Sequence, residues 1–212
     1  MKTFLKISAL ALVLLAIPVS AFADSVASMS LVSANSGTTP NGAEDVGPYG
    51  ITANGTSLNG YCLDLARSMS FGQTWNADVE VLSTKSSTDQ KAAAIIVSEI
   101  NSGKLSNVAG QLEIWAINDL SGAESDGLTA SELSNLSGAE FVATENGGQY
   151  NNAFYSQFTD YVSTNGQAQD FISQSVPVAP TPEPGSLVLL GTGLFGAAGM
   201  AYRRAKTLTS SN

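Results

Sequence analysis

The stretch that decides the fold runs from Tyr49 to Leu63, Y-G-I-T-A-N-G-T-S-L-N-G-Y-C-L. Apolar and polar residues alternate on both sides of Asn54-Gly55. Asn-Gly is the dipeptide that a two-residue hairpin favours, because both of its central positions need positive φ. The pattern therefore predicts two antiparallel strands, with Cys62 on or just after the second. The wider run from Ser25 to Leu65 is strand-like as well. Cys62 is the single cysteine of the chain, so nothing within the chain can bridge it. In an exported protein such a residue pairs with another molecule, carries a lipid, reacts, or is a small buried hydrophobe.

Beyond Val81 the periodicity turns helical. Ser87-Thr88-Asp89-Gln90 fits a capping box, in which the cap and the residue three positions on satisfy each other's backbone N–H. Ala92, Ala93, Ile96, Val97 and Ile100 then share one face, and Gly103 sits where a helix would stop. A second helix is predicted from Asn107, V-A-G-Q-L-E-I-W-A-I-N-D-L, and is apolar nearly all round. A third is predicted from Gln149 to about Val162, from the four-residue spacing of Tyr150, Phe154, Phe158 and Val162. These aromatics read as ordinary core, and no internal repeat is visible.

Both ends of the chain are organised differently from its middle. Residues 1–23 read as a secretory signal: Lys2 and Lys6, an apolar run from Ile7 to Ile17, Pro18, and the small-x-small site Ala21-Phe22-Ala23. Residues 176–185, V-P-V-A-P-T-P-E-P-G, form a Pro-rich linker that sustains neither helix nor sheet. The uncharged, glycine-rich run from Ser186 to Tyr202 precedes Arg203, Arg204 and Lys206. Residues 186–212 thus read as a transmembrane helix with a basic tail, which would keep the body of the protein outside the cytoplasm. This order of parts resembles the PEP-CTERM sorting signal of Gram-negative bacteria, carried here by Pro182, Glu183, Pro184, the apolar run, Arg203 and Arg204. The resemblance implies an exosortase as partner and the cell surface or extracellular matrix as destination. A plain tail anchor is the alternative.

The body between them, residues 24–175, has the length of one domain able to bury its own core. From Asp24 to Glu183 the chain has eighteen acidic residues against Arg67, Lys85, Lys91 and Lys104, a net charge of −14. A field of that sign repels nucleic acid and anionic membrane surfaces. Histidine is absent, which removes Ser-His-Asp and Cys-His catalysis and most zinc sites. A calcium loop at G-A-E-S-D-G-L-T-A-S-E-L fails too. Aligning Gly127 with the loop glycine puts Gly122 at the first ligand position and Leu133 where a glutamate belongs, so the segment reads as a solvated turn.

Gln111 is the odd residue of the second helix, one turn before Ile114 and Trp115 and on the same buried side. A buried amide must be hydrogen-bonded, either to a backbone group or to something more specific. Here the chain resembles the Cys-Gln thioester (TQXA) domains of bacterial surface adhesins. Tyr61-Cys62-Leu63-Asp64 matches the cysteine block, and Gln111-Leu112-Glu113-Ile114-Trp115 matches the glutamine block Thr-Gln-x-Ala-Ile-Trp. Gly110 stands for the usual threonine, Glu113 for the usual alanine, and the separation is short. The resemblance implies an α+β fold, a β-rich portion carrying Cys62 with packed helices carrying Gln111. It also implies a Cys62–Gln111 thioester, with Tyr61, Asp64 and Trp115 shielding or supporting it. The partner would be an amine on a surface protein or polymer, such as a lysine side chain. Capture would be a single event without turnover or cofactor, serving adhesion or biofilm formation. The other reading is a non-reactive matrix protein in which Cys62 is a core thiol and Gln111 a satisfied amide.

Overall fold

The computed structural model describes residues 26–34, 37–145 and 147–174. The signal segment at 1–23, the linker at 176–185 and the transmembrane helix and tail at 186–212 lie outside the described residues. Among the described residues no helix is long and apolar enough to cross a membrane.

The hairpin forms where the sequence places it. Strands β2 (Tyr49–Ala53) and β3 (Thr56–Cys62) pair antiparallel, with Ala53 opposite Thr56. The turn places Asn54 at φ 50° and Gly55 at φ 80°, the left-handed pair that a type I′ turn requires. With β1 (Val26–Ala34), β4 (Thr74–Val81), β5 (Phe158–Ser163) and β6 (Phe171–Gln174), these strands close an antiparallel barrel in the order β1-β2-β3-β6-β5-β4. Alternation fills it: Ala27, Met29 and Leu31 from β1, Tyr49, Ile51 and Ala53 from β2, and Trp75 and Ala77 from β4 are all buried. Phe171 packs its ring against Tyr49 at 5.7 Å, edge-on, and against Trp75 at 5.8 Å.

The helices are inserted between β4 and β5. Helix α1 (Thr88–Asn101) starts on the Ser87/Gln90 capping box and ends before Gly103 at φ 75°. Its predicted face is buried throughout. Helix α2 (Asn107–Asn118) is capped by Ser106, and six of its consecutive residues after Gly110, Gln111 to Ala116, are buried. Short α3 (Leu120–Ser125) follows, then α4 (Ala130–Glu145), which packs on both α1 and α2. Gly110 permits the close α1–α2 approach: a Cβ there would lie 2.4 Å from both Cδ1 and Cγ1 of Ile100.

Two expectations are corrected. The predicted helix from Gln149 to Val162 is one short turn, α5 (Asn152–Tyr155), capped by Asn151, and then strand β5. The four-residue aromatic spacing is real, and Tyr155 and Phe158 are fully buried, but closing the barrel needs a strand between β4 and β6. Tyr161 pairs with Val79 on one side and Phe171 on the other. The acidic segment read as a turn contains the end of α3 and the start of α4. Thr129 and Glu132 form a capping box there, with bonds of 2.6 and 3.3 Å.

Candidate functional site

Cys62 is the last residue of β3, and its position in the sheet explains its partner. Leu63 N–H donates to Asp170 O on the β6 side. Strand alternation therefore turns the N–H and C=O of Cys62 to the other side, where β2 has ended with Tyr49 paired to Gly60. The carboxamide of Gln111, held on α2, fills that gap. Its Nε2 donates to Cys62 O at 2.7 Å and its Oε1 accepts from Cys62 N at 3.3 Å. Both residues are 0% exposed. One side-chain amide thus stands in for a missing strand residue, satisfying two buried backbone groups at once.

The thiol lies in a nest of its own. Sγ donates to Asp64 O at 3.0 Å and accepts from Asp64 N at 3.3 Å. Burial pushes the thiol up to about 12; the Asp64 backbone and the Trp115 indole pull the other way, and the Asp64 and Asp170 charges add to the rise. Trp115, one turn beyond Gln111, is buried, and its indole N–H meets no acceptor in good hydrogen-bond geometry.

The structure places each further site residue by a specific contact. Tyr61 is buried and donates its hydroxyl to Asn101 Oδ1 at 3.3 Å, tying β3 to the end of α1. Asp64 supports the sulfur through its backbone, while its carboxylate faces Arg67 Nε at 3.0 Å and Ala66 N at 2.9 Å. Glu113 lies on another face of α2 and accepts from Asn135 Nδ2 of α4 at 2.8 Å. Its carboxylate engages the α1–α4 side of the helix, whereas Gln111 engages Cys62.

Gly47 is the contact that sequence reasoning missed. A Cβ there would sit 3.0 Å from Gln111 Oε1 and 3.0 Å from Tyr61 Cδ1. The backbone at Gly47 therefore covers the Gln111 carbonyl, with the Tyr61 ring beside it. Gly-Pro at 47–48 was the available signal, a dipeptide that marks a turn but says nothing of what it touches. Asn118, at the end of α2, adds a second tie by donating Nδ2 to Leu63 O at 3.1 Å. Helix α2 thus holds the chain at Cys62 and again at the residue that follows it.

The comparisons bear on the tail and on the body separately. Residues 180–204 match the PEP-CTERM protein-sorting motif, so Pro182 to Arg204 fall in a signal for an exported protein sorted to the cell envelope. No curated protein matches the chain. Among solved structures, the chain is similar to the N-terminal thioester domain of fibronectin-binding protein SfbI from Streptococcus pyogenes. The match has 11% identity and a TM-score of 0.39, and covers 74% of this chain and 97% of that one.

Proposed function

We propose that this is an envelope-sorted surface protein of a Gram-negative bacterium in which Cys62 and Gln111 form an internal thioester that captures an amine. The observation that carries the reading is the double hydrogen bond between the Gln111 carboxamide and the Cys62 backbone, which holds the acyl group beside the residue bearing the thiol. The sulfur attacks Cδ of Gln111, the S–C bond forms, the C–N bond breaks, and ammonia leaves with the thiol proton. Fixing the two groups together replaces an effective concentration on the order of 10⁵ M or more. A chain without histidine needs that help, since it has no imidazole base. An amine such as a lysine side chain then attacks the Gln111 carbonyl, an amide forms, and Cys62 is released as a thiol. Each molecule reacts once. Burial of the pair and the cover at Gly47 support the exclusion of water that a thioester requires.

A second reading, a non-reactive surface or matrix protein, is favoured by one feature. Both polar atoms of the Gln111 amide have a backbone partner as they stand, and burial holds the thiol in its protonated form at neutral pH. Intact mass of the secreted protein separates the two. Beyond the substitution itself, wild type is expected to fall short of Cys62→Ala by one ammonia. Methylamine should then add its own mass to wild type and free one thiol. A wild type of full mass whose thiol alkylates on denaturation, without prior amine treatment, supports the non-reactive reading and ends the first.

A further inference from the structure

On the outer face of the barrel a cavity of about 390 Å³ opens between the ends of β3, β5 and β6 and the helices, lined among others by Asp64, Asp160, Asp170, Leu63, Val162 and Asn118. Asp64 and Asp170 are shared by Arg67, at 3.0 and 3.8 Å. Asp160 differs from them. It is 1% exposed, it lines the cavity, and its Oδ1 has no hydrogen-bond partner. A buried carboxylate oxygen without a donor is costly, and the one on Asp160, unlike the one on Glu113, belongs to a side chain that lines an open cavity. Burial pushes the Asp160 carboxyl up to about 7; a hydrogen bond from the Gln90 side chain opposes the rise, and the Glu80 and Asp170 charges add to it, so Oδ1 is the oxygen left without a donor. Leu63 is partly buried and Val162 is exposed at the rim, so the wall beside the acids is apolar.

We infer that this cavity binds a primary alkylammonium group, with Asp160 receiving the ammonium and Leu63 and Val162 packing the methylene stem. An ammonium brings three N–H donors on a compact charge, which suits one buried acceptor flanked by more distant carboxylates. The apolar wall suits an alkyl stem that a hydrated inorganic ion lacks. Among the described residues no three acidic or thiol groups lie close enough to share a metal ion. The ligand class is therefore a lysine side chain or a small alkylamine. This site stands without the thioester, although Leu63 and Asp64, which directly follow Cys62, form part of its wall.

The test is a titration of the secreted full-length protein with n-butylammonium, followed by amide chemical shifts and calorimetry. The Cys62→Ala background removes any covalent reaction. Saturable binding is expected, with the largest shifts in Leu63, Asp160 and Val162, and at least tenfold weaker binding of tetramethylammonium, which has no N–H. Asp160→Asn should weaken butylammonium binding at least tenfold. Val162→Lys, a change at an exposed position, should abolish it by placing a tethered ammonium in the cavity. No saturable binding to the Cys62→Ala protein, or equal affinity in a folded Asp160→Asn and in Val162→Lys, overturns the site. Neither result touches the ammonia deficit that decides the thioester.

Discussion

Helix α2 buries two polar side chains two residues apart, and they meet opposite treatment. Gln111 gives one hydrogen bond and receives one, both with the backbone of Cys62, so its nitrogen and its oxygen each have a partner. Glu113 receives one bond from Asn135, leaves Oε1 without a partner, and faces the like charges of Glu99 and Glu132. The first arrangement matches a neutral amide to a neutral gap in a strand ladder. The second asks a buried carboxylate to sit where only one of its two oxygens has a donor. A buried polar residue is stabilising or costly according to the completeness of its partners.

The largest expected effect comes from breaking the well-matched side. In a Cys62→Ala background, which excludes the covalent bond, Gln111→Leu leaves the Cys62-position N–H and C=O both buried and unpaired. Each unsatisfied group costs about 1–3 kcal/mol, so a loss of about 4 kcal/mol is expected in chemical denaturation. A loss below about 1 kcal/mol would mean that water replaces the amide and that the gap is not sealed.

Next in size is the badly matched side, and its sign is opposite. Burial, opposed by Asn135 and reinforced by Glu99 and Glu132, raises Glu113 from 4.5 to about 7. An acid whose folded value lies above its unfolded one costs nothing below pH 4.5. Its cost grows between there and pH 7, and is complete above pH 7. The shift corresponds to about 3 kcal/mol at most. Glu113→Gln, which keeps an acceptor for Asn135, is expected to stabilise the protein by about 2 kcal/mol at pH 8 and to change it little at pH 4. Asp160, raised in the same direction, leaves the variant with some residual pH dependence. A Glu113→Gln protein with the same pH slope as wild type would move the cost elsewhere.

The comparison also shows what the sequence makes legible. The Asn54-Gly55 hairpin, the Ser87/Gln90 box and the buried face carrying Gln111 are local signals, each written within a few residues, and the structure repeats them. The partners are not local. That Gln111 completes a strand at Cys62 depends on where β2 stops. That Glu113 meets Asn135 depends on α4, a helix whose Thr129/Glu132 box lies inside a segment that its acidic clustering makes read as a solvated turn. Gly110, standing for a threonine in the motif it resembles, gains its reason only from Ile100 across the helix pair. Strand β5 fails for a related cause. An aromatic at every fourth position satisfies a helix and a strand equally, since four is a multiple of two, and barrel closure decides between them.

The smallest effect isolates how much α4 contributes to the Glu113 environment. Thr129 and Glu132 exchange backbone bonds at the start of that helix, and Asn135, one turn on, supplies the donor to Glu113 and, at 3.2 Å, to Glu99. Thr129→Ala removes a cap worth about 1 kcal/mol and loosens the first turn. If α4 holds Asn135 in place, the variant should lose about that much stability at pH 5, where Glu113 is mostly protonated, and more at pH 8, where the ionised carboxylate depends on Asn135. Urea midpoints at the two pH values measure the difference. Equal losses would show that Asn135 is held by its packing between α1 and α2, with the cap contributing only to its own helix.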